Sequence, residues 1–135
     1  MMLSEELYPQ RVFYYFEQIA AIPHGSRNTK AISDYLVDFA KEHNLVWYQD
    51  ENNNVVIVKE ASAGYEAAEP IIIQGHMDMV CEKEKGVDID FEKDGLKLYI
   101  DGDFLKAEGT TLGGDDGIAV AYALALLDSQ EIAHP

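Results

Sequence analysis

Ile71-Ile72-Ile73-Gln74-Gly75-His76-Met77-Asp78-Met79-Val80-Cys81, IIIQGHMDMVC, begins as a strand and continues into ionisable side chains. The three isoleucines predict a strand over residues 70–74, buried on both faces as a central strand would be. An imidazole and a carboxylate follow two positions apart. In extended chain, residues i and i+2 point to the same side, so His76 and Asp78 can converge, or Asp78 can accept a hydrogen bond from the ring. One reading is a metal-binding histidine whose tautomer is set by the carboxylate behind it. The other is a buried histidine satisfied by that carboxylate with no metal at all. The carboxyl end of a central strand is where open α/β sheets place their sites.

Working outward, Val12, Phe13, Phe16, Ile19 and Ala20 recur at helical spacing before Pro23 and Gly25, which predicts a helix over roughly residues 4–21. Ser26 is positioned to cap a second helix with Ile32, Tyr35, Leu36 and Phe39 as its buried stripe, ending near Asn44. Residues 46–49 and 55–58 are short β-type runs around the polar cluster DENNN, a hairpin signal. Residues 96–100 and 104–107 flank Asp101-Gly102-Asp103, a second hairpin. Residues 118–127 are apolar nearly all round, which predicts a buried helix on a sheet. Helices and strands in this order fit an α/β layered domain.

The chain has 135 residues, 47% of them hydrophobic, enough for one domain with a core. Its apolar runs fall short of the ~20 residues that span a bilayer, and the N-terminus lacks a basic region followed by an apolar one, so the expectation is a cytoplasmic protein with no membrane partner. A single cysteine agrees with a reducing compartment. The net charge of −15 repels phosphate backbones, which argues against a nucleic-acid partner and favours cations.

The segment GTTLGGDDG, residues 109–117, sets Asp115 and Asp116 among glycines ahead of the last helix. The two carboxylates suit a helix start by charge alone. Alternatively, one of them reaches the end of the 70–74 strand, where a carboxylate can bridge two metal ions. A phosphate loop is excluded: the Gly-Lys-Ser/Thr ending is missing and the aspartates repel phosphate. Cys81 reads as an inert buried thiol. His24, His43 and His134 read as structural or surface residues, and Trp47 and the tyrosines as core and rim packing. His76 and Asp115, with Asp78 behind, are too few for a catalytic zinc with about three protein ligands. Either the site holds no metal or its other ligands lie beyond residue 135.

Two long motifs carry a resemblance. GHMDMVCEK at 75–83 and GTTLGGDDGIAVAYALALL at 109–127 resemble the amino-terminal part of the aminoacyl-histidine dipeptidases, also called β-alanyl-histidine or cytosol non-specific dipeptidases. These belong to the zinc exopeptidase family that includes carboxypeptidase G and succinyl-diaminopimelate desuccinylase. IPHGSRNTKAISDYLVDFAKEHNL at 22–45, QDENNNVVI at 49–57 and DGDFLKAEGTT at 101–111 extend the likeness over most of the chain. The resemblance implies that residues 1–135 begin a phosphorylase/hydrolase-like catalytic domain, a mixed β-sheet flanked by helices. It implies that His76 is a metal ligand, that Asp78 orients it, that Asp115 bridges two zinc ions, and that the peptide after Asp115 is cis. Cobalt or manganese are alternative ions. Asp116 stands where relatives often have asparagine, and Gly114 and Ala119 where they often have alanine and glycine.

The family's general-base glutamate, its remaining ligands and its lid or dimerisation domain would lie beyond residue 135. The expectation is therefore an inactive N-terminal portion of a dipeptidase that cleaves Xaa-His or a broader range of dipeptides, with a homodimer as the full-length assembly. The alternatives are an amidase, deacylase or aminopeptidase of the same fold, and a non-catalytic domain that binds a metal or a partner.

Overall fold

Helix α1, Gln10–Ala20, buries Val12, Tyr15, Phe16, Ile19 and Ala20, steps of three and four that align on one side of a helix. The computed structural model describes residues 2–135. A 3₁₀ turn, Leu3–Glu6, precedes α1 and is tied to it by Glu17, whose two carboxylate oxygens accept the Leu3 and Ser4 backbone N–H groups at 3.0 and 3.1 Å. Helix α2, Lys30–Glu42, buries Ile32, Leu36, Val37, Phe39 and Ala40. The first hairpin, β1 (Val46–Gln49) and β2 (Val55–Val58), is antiparallel with Val46 opposite Val58, and it rests on α2. Fully buried Ser33 joins them: its hydroxyl donates to Asn53 O at 2.9 Å and accepts from Gln49 Nε2 at 2.8 Å. At the turn, Asp50 accepts the backbone N–H groups of Asn52 and Asn54, and Asn53 sits at φ 69°.

The second hairpin, β3 (Leu98–Asp101) and β4 (Phe104–Ala107), is likewise antiparallel. It hangs from the end of α1, where Leu96 N–H donates to Ala20 O at 2.8 Å. Gly95 permits that approach, since a Cβ there would lie 2.5 Å from Ala21 O. Helix α3, Gly114–Asp128, closes the core against α1 with Gly117, Ala121 and Leu124. Gly117 brings α3 close enough that a Cβ would meet Phe16 Cε2 at 3.3 Å. No helix among the described residues is long and apolar enough to cross a membrane.

The fold is a mixed α/β arrangement of helices and two small antiparallel sheets, and it corrects several expectations. Residues 70–74 form no strand: they have no strand partner among the described residues, and Ile71, Ile72 and Ile73 are 71, 89 and 55% exposed. A hydrophobic run makes a buried strand only where neighbouring strands take up its backbone groups. The two hairpins form separate two-stranded antiparallel sheets among the described residues. Helix α3 covers only one stripe, against α1 rather than a sheet, and Tyr122 and Leu126 face outward. Ser26 does not cap α2; Thr29 occupies the N-cap, with no side-chain cap bond. Of the tyrosines only Tyr15 is buried, while Tyr48 and Trp47 are exposed on β1.

The three helices are clamped at one end by Asp128. Arg11 Nε donates to Asp128 Oδ2 at 3.0 Å, and His43 Nε2 lies 3.0 Å from Oδ1. The His43 ring stacks on Phe39 with centroids 4.1 Å apart. Burial pushes the Asp128 carboxyl up, but hydrogen bonds from Arg11 and Tyr15, the Arg11 charge and His43 outweigh it and hold the group below the ordinary carboxylate range. Such a group contributes stability that is present above its unfolded pKa and lost as pH falls through its folded one. Asp128→Asn should therefore cost about 1–2 kcal/mol near neutral pH. The gap to the parent should begin to narrow as pH falls past the ordinary aspartate value near ~4 and close once the folded carboxyl is protonated, as thermal melts at descending pH would show.

Candidate metal centre

The segment carrying His76 and Asp78 is positioned by two flanking loops. On one side, Met79 N–H donates to His24 O at 3.0 Å and Ser26 N–H donates to Met79 O at 3.1 Å, a short parallel bridge. On the other side, Glu84 N–H donates to Gly109 O at 2.8 Å and Thr111 N–H to Glu82 O at 2.9 Å. The Thr111 hydroxyl donates to Val80 O at 2.7 Å. Close contact is required at both flanks. A Cβ on Gly25 would lie 2.8 Å from Cys81 Sγ, and one on Gly113, at φ 74°, would lie 2.9 Å from Met79 Sδ.

His76 and Asp78 converge as i and i+2 spacing predicts. His76 Nδ1 lies 3.1 Å from both Asp78 Oδ1 and the Asp78 carbonyl oxygen. Neither oxygen can donate, so Nδ1 carries a proton, which leaves Nε2 as the nitrogen that offers a lone pair whenever the ring is neutral. Nε2 faces Asp115 Oδ1 at 3.0 Å. The chain thus brings together all three residues singled out from the sequence, from positions up to 39 apart. Asp116 adds a contact that spacing does not reveal: its Oδ2 accepts the His76 backbone N–H at 3.2 Å. The Asp115–Asp116 peptide is cis, as the resemblance implied.

The electrostatics follow from this crowding. The Asp115 hydrogen bond, with the Asp78 carbonyl and the two carboxylate charges, raises the His76 pKa against the opposing effect of desolvation. The Ser26 hydroxyl, which donates to Asp78 Oδ2 at 2.5 Å, does most to hold the Asp78 carboxyl below its ordinary value. Ser26 is a site contact that sequence reasoning missed; only the HGS run near Pro23 marked the loop, and its partner is 52 residues away.

The donor set suits a divalent cation. Two ligands of one tetrahedral zinc, each at about 2.0–2.1 Å, stand about 3.3 Å apart, close to the 3.0 Å between Nε2 and Asp115 Oδ1. Among the described residues, no group of three or more His, Cys, Asp and Glu side chains is arranged to hold an ion. Cys81 is not part of the site. Its partly buried thiol is pushed up in pKa by burial and then by Glu82, and it lies 3.8 Å from Met79 O. His24 is buried with its Nδ1–H donated to Ile22 O at 2.6 Å, and burial lowers its pKa. His43 belongs to the Asp128 clamp, and the His134 backbone N–H donates to Ser62 Oγ at 3.0 Å.

The helices and small antiparallel sheets match part of a dipeptidase structure. The chain is 41% identical over 129 residues to the cytosol non-specific dipeptidase of Escherichia coli (strain K12), covering 96% of this chain and 27% of that protein. It superposes on the crystal structure of aminoacylhistidine dipeptidase from Vibrio alginolyticus with a TM-score of 0.93 at 40% identity, covering 97% of this chain and 27% of that one. The chain therefore spans about a quarter of the length of these relatives. No family model matches it.

The thiol environment is directly testable. With the thiolate disfavoured, Cys81 should react with Ellman's reagent at about pH 8 at least tenfold more slowly than free cysteine, by a rough estimate. Unfolding in urea should abolish the difference.

Proposed function

We propose that this chain is the N-terminal part of the catalytic domain of a cytoplasmic zinc dipeptidase, in which His76 and Asp115 are metal ligands and Asp78 orients His76. One observation carries the reading: His76 Nε2, the ring nitrogen left to bind a metal because Asp78 holds the Nδ1 proton, faces the Asp115 carboxylate at 3.0 Å. The likeness to two named dipeptidases supports a dipeptide substrate, Xaa-His or broader.

Zinc, when bound, supplies a Lewis acid for the scissile carbonyl and acidifies water. The residues of this chain contribute orientation and charge. Asp78 keeps the imidazole in the tautomer that presents Nε2, and its negative charge raises the basicity of the ring. Asp115 offers two oxygens, so it can serve two ions. Asp116 holds the main chain at His76. On this reading the proton acceptor for the attacking water and the remaining ligands lie outside residues 1–135.

The test is dipeptide hydrolysis by the full-length protein after chelation and readdition of zinc, cobalt or manganese. His76→Ala and Asp115→Ala should each lower kcat/KM by at least about a hundredfold, and the 135-residue chain alone should be inactive. Full activity in His76→Ala, or activity indifferent to chelators, would refute the reading.

A further inference from the structure

We infer that Ser26 is a positioning residue for the metal centre, acting on His76 through Asp78; this rests on the metal-ligand reading of His76. The geometry is a three-member chain. Ser26 Oγ donates to Asp78 Oδ2 at 2.5 Å, and Asp78 Oδ1 accepts from His76 Nδ1 at 3.1 Å. One carboxylate oxygen is committed to each partner. A carboxylate held at both oxygens cannot swing about its side-chain bonds, so the plane that orients the imidazole is set from both ends. With the hydroxyl removed, Asp78 keeps only the His76 contact and the ring loses part of its orientation.

Two features separate this role from simple loop support. The loop is docked by main-chain bonds, Met79 N–H to His24 O and Ser26 N–H to Met79 O, while the Ser26 hydroxyl lies 3.5 Å from Met79 O, a far longer contact than its 2.5 Å to Asp78. Ser26 is also exposed, so its hydroxyl could be satisfied by water; burial does not force it onto Asp78. The bond is nonetheless in the short range of O–H donated to an ionised carboxylate. Ser26 also lies just ahead of the Thr29 N-cap of α2, so its hydroxyl is spent on the site and not on the helix.

The experiment measures zinc affinity of the metal-free full-length protein by competition with a chromophoric chelator, for Ser26→Ala, Ser26→Thr, Asp78→Ala, the Ser26→Ala/Asp78→Ala double variant and His76→Ala. Asp78→Ala should weaken zinc by about 10–100-fold and Ser26→Ala by about three- to tenfold, with Ser26→Thr near the parent. In the Asp78→Ala background, Ser26→Ala should add less than about twofold, because its partner is gone. Should Ser26→Ala not fold, Ser26→Cys, nearly isosteric with a weaker donor, replaces it in the same cycle. An unchanged affinity in the Ser26 variants while Asp78→Ala and His76→Ala bind weakly would overturn the inference and spare the metal site. A Ser26 effect equally large without Asp78, the signature of a loop-stability role, would overturn it as well. Unchanged zinc binding in His76→Ala would remove the metal-centre reading, and the inference with it.

Discussion

The buried stripe of α1 carries the rest of the structure. Phe16 receives Gly117 at the start of α3, and Ile19 and Ala20 fill the centre of the core. The same helix holds its neighbours by polar contacts: Glu17 holds the N-terminal turn, Ala20 O holds the second hairpin, and Arg11 holds Asp128. The packing matters for the site because Asp115 and Asp116 come just before Gly117. Wherever α1 seats Gly117, it also seats the carboxylate that faces His76. Burial supplies the driving force, and close approach at glycine sets the position.

Charge supplies the other constraint. Three carboxylates gather at one histidine, those of Asp78 and Asp115 at its ring and that of Asp116 at its backbone N–H, in a chain of net charge −15. Gathering like charges is costly unless something positive sits among them. In the metal-free geometry the carboxylates favour the protonated ring and raise the His76 pKa. A divalent cation fills it better, since it displaces one proton and brings two charges. The same arrangement therefore explains both a raised histidine pKa and a place suited to a metal.

Much of this was legible in the sequence. Both strands of the first hairpin, β4 and the cores of all three helices lie where periodicity and turn residues placed them. These elements are specified by neighbours a few positions away. The His76–Asp78 contact was legible for the same reason, since it depends only on extended chain. What failed was non-local. The isoleucines at 71–73 promise a central strand, but a strand needs partners, and none of the described residues pairs with them. Ser26 reads as a cap because a cap is the local use of a serine; its hydroxyl finds a carboxylate 52 residues away instead.

Sequence alone determined which residue types were available for chemistry: an imidazole and a carboxylate at i and i+2, a pair of aspartates on a glycine-rich turn, and an excess of negative charge. It also determined the helices and hairpins, because hydrophobic period and turn chemistry act over one or two turns of chain. Tertiary structure alone decided that Asp115 meets Nε2, that Asp116 takes the His76 amide, and that Ser26 backs Asp78. Those contacts join residues 39 to 52 positions apart, and only the packing of α3 on α1 and the docking of two loops on one extended segment bring them within bonding distance.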